Sequence, residues 1–139
     1  MSKQDSSVVR TNAQVVRGVY DGWIDGDVTR AIGYLDPEIV WEAIADAPDA
    51  GTYRGHAGAR RYMEDWLGDF DINSMDFEEV IDGGDCVVVV QRARTTGKGS
   101  GVETQLQYAV AYRLRDDRIL EIKEFRTKAE ALEAAGLEE

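Results

Sequence analysis

The stretch 103-ETQLQYAVAYRLRDDRILEIKEFR-126 has the alternating pattern of two antiparallel strands joined by a tight turn. It predicts a strand at 103–115, and the paired aspartates that follow mark a turn into a last strand at 118–126. Side chains alternate between the two faces of a strand, so we expect one set of positions to face the core. That set is apolar or aromatic and comprises Leu106, Tyr108, Val110, Tyr112 and Leu114.

The inner face of the last strand is open to two interpretations. One alternation runs through Ile122 into Glu124 and Arg126, which places two charges at the end of an apolar face. That arrangement suits the polar floor of a pocket. The other alternation puts Ile119 and Phe125 inside and leaves the charges in solvent, where lone charges on strands usually lie. Alternation alone does not distinguish between them.

Strands are also predicted on the N-terminal side of this hairpin. One covers 38–44, and residues 52–54 are expected to pair back on it. Two more at 76–81 and 86–95 connect through short polar and glycine-rich turns to the strand at 103–115, forming an antiparallel meander.

The valine-rich strand at 86–95 does not show which of its faces is inside. Its even positions nevertheless share one face, because side chains repeat with a period of two along a strand. Arg92 therefore becomes a candidate to lie near the two charges of the last strand. The shared face comprises Val88, Val90, Arg92 and Arg94.

Apolar residues at helical spacing predict helices at 8–25 and 56–70. Between them, Asp27 has a side chain suited to begin a short second helix, which ends before the Asp-Pro pair at 36–37. The segment 45–51 contains aspartate, proline and glycine and is predicted to be a loop.

The order of these elements indicates the fold class. Three helices lie in the first half of the chain and long strands follow, which favours helices on one face of a curved antiparallel sheet in an α+β fold. Thr127 and Glu130 have capping-box spacing and predict a short C-terminal helix. We expect a single domain over 1–139, with residues 1–7 disordered.

Composition excludes several classes of function. The chain has 27 acidic and 16 basic residues and a formal charge of −11, which disfavours binding to nucleic acid or to an anionic membrane surface. With one histidine and one cysteine it lacks a zinc-ligand pattern, and it carries no nucleotide-binding fingerprint, so neither a metal nor a cofactor is expected. Cys86 begins an apolar run and is predicted to be a packing residue. A cytoplasmic protein is expected, because no apolar run is long enough to cross a membrane.

Three stretches resemble the SnoaL-like branch of the nuclear transport factor 2-like superfamily: DPEIVWE at 36–42, TYRGH at 52–56 and AEALEAAGL at 129–137. The resemblance spans almost the whole chain. It implies a cone in which a strongly bent sheet and three helices enclose an apolar cavity. Members include polyketide cyclases, steroid isomerases, epoxide hydrolases, dehydratases and noncatalytic binders, so the fold does not choose the reaction.

Within that resemblance, individual positions separate the possible reactions. The steroid isomerases have a tyrosine and two aspartates where this chain has Val19, Ala43 and Val110, so their isomerisation is not expected. The polyketide cyclases have a carboxylate where this chain has Glu124, but their partner histidine corresponds to Val110. The resemblance to these families therefore implies that Glu124 lies on the cavity side of the last strand.

Our leading hypothesis is a cofactor-independent isomerase, cyclase or hydrolase that acts on an apolar or aromatic small molecule. Glu124 would take a proton from carbon or water, while Arg92 or Arg126 stabilises the developing oxyanion. Two alternatives are a noncatalytic ligand-binding or sensor domain and an interior filled by its aromatic side chains. The predicted substrate-binding residues are Tyr20, Trp23, Trp41, Tyr62, Trp66, Tyr108 and Val110.

Two further expectations concern residues away from this cluster. His56 stands at the start of the third predicted helix, where a structural role at the first turn is favoured over a catalytic one. Related proteins pair through the outer face of the sheet, so the resemblance implies a homodimer. The corresponding surface comprises Gln105, Gln107, Ala109 and Ala111.

Overall fold

The computed structural model describes residues 11–44 and 51–137. In chain order the elements are α1 (Asn12–Ile24), α2 (Val28–Ile32), β1 (Leu35–Glu42), β2 (Thr52–Arg54), α3 (Gly55–Asp69), β3 (Phe70–Asp82), β4 (Cys86–Gly97), β5 (Glu103–Arg115), β6 (Arg118–Phe125) and α4 (Lys128–Ala135). The disorder expected at 1–7, the start of the first predicted helix at 8–10 and nearly all of the loop predicted at 45–51 lie outside the described residues.

The six strands form one curled sheet in the order β2-β1-β6-β5-β4-β3. The predicted α+β cone is confirmed, with α1 to α3 preceding the long strands and α4 closing the chain. One pairing departs from the expected antiparallel sheet, because β1 runs parallel to β6, with Trp41 beside Ile122. These two strands are far apart in sequence, and the alternation within each carries no information about their relative direction.

The pairing of β5 with β6 resolves the open question about the last strand. Leu114 lies opposite Ile119 and Tyr112 opposite Ile122, with a shift of register that leaves Leu120 as an extra residue. Such a bulge changes the phase of the side chains, so Ile119 and Ile122 are both fully buried. Each of the two alternations is therefore right for part of the strand.

The third strand is much longer than predicted and begins at Phe70, the last residue of the predicted helix. It spans Phe70–Asp82 instead of 76–81, and α3 ends at Asp69. Pairing with β4 explains the extension, because Phe70 lies opposite Gly97 and the ladder continues to the far end of both strands. Two register shifts interrupt the alternation along the way, so the local sequence pattern is obscured.

The short C-terminal helix covers part of the outer face of the sheet. Thr127 and Glu130 form the predicted capping box. Ala131 and Leu132 of α4 pack on a small second core. That core includes Val88, Ala109 and Ala111. Two of the four residues expected to form a dimer surface are therefore buried beneath the chain's own helix, while Gln105 and Gln107 stay exposed.

Candidate functional site

A cavity of about 480 Å³ lies between the helices and the concave face of the sheet. Helices α1 and α3 supply one wall, and β3 to β6 supply the floor and the opposite wall. Its lining is mostly aromatic and aliphatic, with a few polar groups. The lining residues are Trp23, Ile44, Tyr62, Trp66, Phe70, Ile72, Met75, Ala93, Thr95, Thr104, Leu106, Gln107, Tyr108, Glu124 and Arg126.

Glu124 presents a carboxylate to this cavity from the end of β6. Oε2 accepts hydrogen bonds from Trp41 Nε1 at 3.0 Å and from the Tyr62 hydroxyl at 3.3 Å. Oε1 accepts from the backbone N–H of Ile44 at 3.0 Å. The side chain is half-buried. Of its three donors, Trp41 lies in β1, Ile44 lies two residues after the end of β1, and Tyr62 lies in α3. This carboxylate is therefore held in one orientation at the cavity wall.

Burial raises the pKa of the Glu124 carboxyl, because leaving water disfavours the charged form. The hydrogen bonds from Trp41, Ile44 and Tyr62 act in the opposite direction and lower it. The burial effect is the larger of the two. A carboxyl with a raised pKa holds a proton more strongly than a solvated one, which is the property required of a general base near neutral pH.

The raised pKa of Glu124 predicts a pH dependence of stability. The folded state binds this proton more tightly than the unfolded state, so the contribution of Glu124 to stability falls as the pH rises from the ordinary glutamate value of 4.5 through the folded value. Glu124→Gln does not titrate. Its melting temperature relative to the original protein should therefore increase between about pH 4 and about pH 7.

Thermal unfolding of both proteins across this pH range measures the difference. Glu121→Gln is the matched control, since Glu121 lies on the same strand and accepts a hydrogen bond from Arg113 at 3.3 Å instead of facing the cavity. A melting-temperature difference for Glu124→Gln that is flat or declines with pH, relative to that control, would contradict the raised pKa.

Tyr108 is a second polar residue of the cavity lining. It belongs to a buried chain of side chains in which Tyr20 and Tyr112 share a hydrogen bond of 2.7 Å and Tyr112 donates to Gln91 Oε1. Gln91 Nε2 then donates to the Tyr108 hydroxyl at 3.3 Å. Burial raises the pKa of Tyr20, Tyr108 and Tyr112, so all three hydroxyls stay protonated near neutral pH.

The predicted site residues other than Arg92 divide into two groups. Trp23, Tyr62, Trp66, Tyr108, Glu124 and Arg126 line the cavity. Tyr20, Trp41 and Val110 lie behind the wall, at 1%, 0% and 0% exposure. These three residues are packed in the core, which is the usual position of aromatic and apolar side chains. Trp41 still acts on the site, because it donates to Glu124.

The placement expected for Arg92 is wrong. Arg92 lies on the outer face of the sheet, where it pairs with Glu78 at 2.9 Å, and Arg94 on the same face pairs with Asp76 at 3.2 Å. Val88 of that face packs against α4. The cavity face of β4 carries the odd positions instead, from Val87 through Gln91 to Thr95. Arg92 and Glu124 consequently lie on opposite faces of the sheet, and Arg92 does not line the cavity.

Sequence reasoning missed Gln91, which is fully buried. It is the polar member of an apolar set on β4, and this is a signal that could have identified it, since a buried amide must find hydrogen-bond partners. Phe70, Ile72 and Met75 were missed because the start of β3 was not predicted. No pattern in the sequence marked Thr95 as a lining residue.

His56 has a structural contact away from the cavity lining. Its Nε2 lies 2.9 Å from the backbone carbonyl oxygen of Leu35, which can only accept, so Nε2 donates and carries the proton in the neutral ring. This bond connects the first turn of α3 to the start of β1. Cys86 is buried with a free thiol, as predicted for a packing residue.

Two features are absent from the described residues. Within 11–44 and 51–137, no group of three or more histidine, cysteine, aspartate or glutamate side chains is arranged to hold a metal ion. None of the helices in the same part of the chain is long and apolar enough to span a membrane.

Solved structures with this architecture are numerous. An NTF2-like protein from Burkholderia thailandensis is 24% identical with a TM-score of 0.72, covering 94% of this chain and 100% of its own. A protein with a ketosteroid isomerase-like fold from Catenulispora acidiphila, in complex with trimethylamine, is 13% identical with a TM-score of 0.73, over 92% and 96% of the two chains. TerC, co-crystallised with polyporic acid, is 20% identical with a TM-score of 0.67, over 90% and 98%.

At these identities the solved structures establish the fold alone. No significant match was found among curated proteins. The model of the SnoaL-like domain matches residues 16–122, which run from α1 to β6 and include most of the cavity wall. The chain therefore belongs to the SnoaL-like domain family.

Proposed function

We propose that this protein catalyses a cofactor-independent acid–base reaction on a small apolar or aromatic molecule bound in the cavity. The observation that carries the proposal is the carboxylate of Glu124. Burial raises its pKa, and hydrogen bonds from Trp41, Ile44 and Tyr62 hold it at the cavity wall. A base with these properties can accept a proton from a carbon acid or a water molecule.

In this mechanism the apolar wall binds the substrate and excludes water from the reacting atoms. Glu124 accepts a proton from the substrate, and the electron pair left behind delocalises onto a substrate oxygen. Return of the proton to another atom isomerises the substrate. Alternatively, the carbanion attacks a second carbonyl carbon of the same molecule and closes a ring, and the alkoxide formed there takes the proton back from Glu124. Arg126 lines the cavity and is largely exposed, so it can stabilise negative charge near the mouth.

The related proteins support a small organic ligand. A structural neighbour from Mesorhizobium loti carries the name putative SnoaL-like polyketide cyclase, and another from Bacillus subtilis carries the name putative isomerase. The complexes of other relatives with trimethylamine and with polyporic acid place small molecules in proteins of this fold. The cytoplasmic location and the homodimer expected from the sequence remain predictions.

Deuterium exchange into 2-tetralone tests the proposal, because this small aromatic ketone has acidic C–H groups next to its carbonyl. We expect the protein to accelerate exchange from D₂O above the buffer rate, and Glu124→Gln to lose about 10²-fold or more of that acceleration. NMR follows the disappearance of the C–H signal. Glu121→Gln, on the same strand, should retain the full rate. Equal rates for Glu124→Gln and the original protein would remove Glu124 from the mechanism.

A noncatalytic ligand-binding domain is the second candidate. The observation that favours it is Val110, which lies directly opposite Glu124 and leaves that carboxylate without the histidine implied by the resemblance to polyketide cyclases. In this case the protein would bind 2-tetralone without accelerating exchange. Binding titrations beside the exchange measurement separate the two functions.

A further inference from the structure

We propose that Tyr108 is a ligand-binding hydroxyl that donates a hydrogen bond into the cavity, and that Gln91 sets the direction of this bond. The substrate class would then be a molecule with an uncharged acceptor oxygen, such as a ketone or quinone carbonyl, on an apolar or aromatic frame. This inference rests on the ligand cavity of the proposed function, and it requires no proton transfer to Glu124.

The direction of the hydrogen bonds follows from the chemistry of Gln91. Its side-chain nitrogen lies 3.4 Å from the sulfur of Met75, and a thioether can only accept. The amide nitrogen therefore faces Met75 and Tyr108, and the amide oxygen faces Tyr112. Because that oxygen can only accept, Tyr112 must donate to it.

The remaining hydroxyls are then determined in sequence. Tyr112 has given its hydrogen to Gln91, so Tyr20 donates to Tyr112 across their 2.7 Å contact. At the other end, Gln91 donates to the oxygen of Tyr108 at 3.3 Å. The hydrogen of the Tyr108 hydroxyl remains available. Its contact within the described residues is the sulfur of Met75 at 3.9 Å, which is a weak acceptor at a long distance.

The position of Tyr108 makes this hydrogen available to a ligand. Tyr108 and Met75 both line the cavity, so a ligand oxygen near them would replace the sulfur as acceptor. Accepting a bond from Gln91 polarises the Tyr108 hydroxyl and makes it a stronger donor. Tyr112, Gln91 and Tyr20 are almost completely buried, so their orientations are held by packing.

Tyr108 and Glu124 lie on adjacent strands of the same face. Val110 is directly opposite Glu124, and Tyr108 is two residues from Val110, which makes Tyr108 and Glu124 diagonal neighbours. Cβ atoms in such pairs are about 7–8 Å apart or somewhat closer. A bicyclic ketone can therefore place its carbonyl at Tyr108 and an adjacent C–H group at Glu124.

The test compares the affinities of 2-tetralone and tetralin, which share a bicyclic frame and differ in the carbonyl. We expect the original protein to bind 2-tetralone about tenfold more tightly than tetralin, the effect of one net hydrogen bond. Tyr108→Phe should bring this ratio close to one. Titrations followed by tryptophan fluorescence or NMR give both affinities.

Gln91→Glu distinguishes a directional role from a packing role. In its ionised form, a carboxylate of nearly the same shape accepts from both Tyr112 and Tyr108. At a pH above the burial-raised pKa of this carboxyl, the Tyr108 hydrogen would therefore turn away from the ligand. The ratio should then fall as in Tyr108→Phe, while tetralin binds as before. Gln105→Glu on the outer face is the matched control and should keep the original ratio.

Three results would overturn the inference: a wild-type ratio near one, no detectable binding of 2-tetralone at millimolar concentration, or an unchanged ratio in Tyr108→Phe. Tyr108→Phe keeps the ring, so it tests the proposal even if Gln91→Glu does not fold. When 2-tetralone binds, failure here remains distinct from failure of the proposed function, because the exchange rate reports Glu124 and the affinity ratio reports Tyr108.

Discussion

Replacing Trp41 with alanine is expected to lower the free energy of unfolding by about 3–5 kcal/mol, the range for removing a buried tryptophan. Trp41 is fully buried and contacts Trp23 edge to face at 5.7 Å and Tyr62 at 4.9 Å between ring centroids. The substitution opens a void behind the cavity and removes a donor from Glu124. Urea unfolding measures the change, and the slope of the transition should stay the same.

Trp41→Phe is the control that separates packing from hydrogen bonding. Phenylalanine fills most of the space but lacks the indole N–H, so a smaller loss of stability is expected. Because the bond from Trp41 lowers the pKa of Glu124, its removal should raise that pKa further. A loss below about 1 kcal/mol for Trp41→Ala would contradict a packed wall, since such losses are typical of surface positions.

Val110→Asp is expected to be about as damaging, at roughly 3–5 kcal/mol near neutral pH, because it buries a charge without a partner. Val110 has no exposed surface and lies directly opposite Glu124, so the two carboxylates would be about 4.5–5.5 Å apart at their Cβ atoms. Burial and the neighbouring charge both raise the pKa of the new aspartate. The destabilisation should therefore shrink as the pH falls and both groups become neutral.

The matched control for Val110→Asp is Val80→Asp. Val80 lies on β3 and is 41% exposed, so a charge there remains in water and the loss should be about 1 kcal/mol or less. Chemical unfolding at acid and neutral pH compares the two variants. Similar losses for both, or a loss at Val110 that does not depend on pH, would show that the wall at this position is open to solvent.

The local alternation of β5 was sufficient to identify the inner face of the sheet. Tyr108, Val110, Tyr112 and Leu114 are all buried in the main core, and Leu106 at the mouth lines the cavity while remaining 43% exposed. Helical spacing likewise placed Tyr62 and Trp66 of α3 at the wall. These predictions succeeded because a period of two or of 3.6 residues fixes which side chains share a face.

The wrong predictions arose from structural features that the alternation of side chains along a strand does not show. The valine run of β4 is apolar on both faces because α4 covers one of them, so its polarity pattern gave no orientation and Arg92 was placed on the wrong side. Register shifts in β3 and β6 changed the phase of the side chains within single strands. The parallel pairing of β1 with β6 depends on contacts between distant segments.

By itself, the sequence determined the fold class and the cavity-facing side of β5, whereas Glu124 was selected only through the resemblance to the SnoaL-like branch. Only the tertiary structure decided what surrounds that carboxylate. Its donors come from segments about 80 and 60 residues earlier in the chain, Trp41 and Ile44 in the first case and Tyr62 in the second. The same holds for Gln91, whose two tyrosine partners lie on the neighbouring strand. Burial and hydrogen bonding set the chemistry of both groups, and both arise when distant segments pack together.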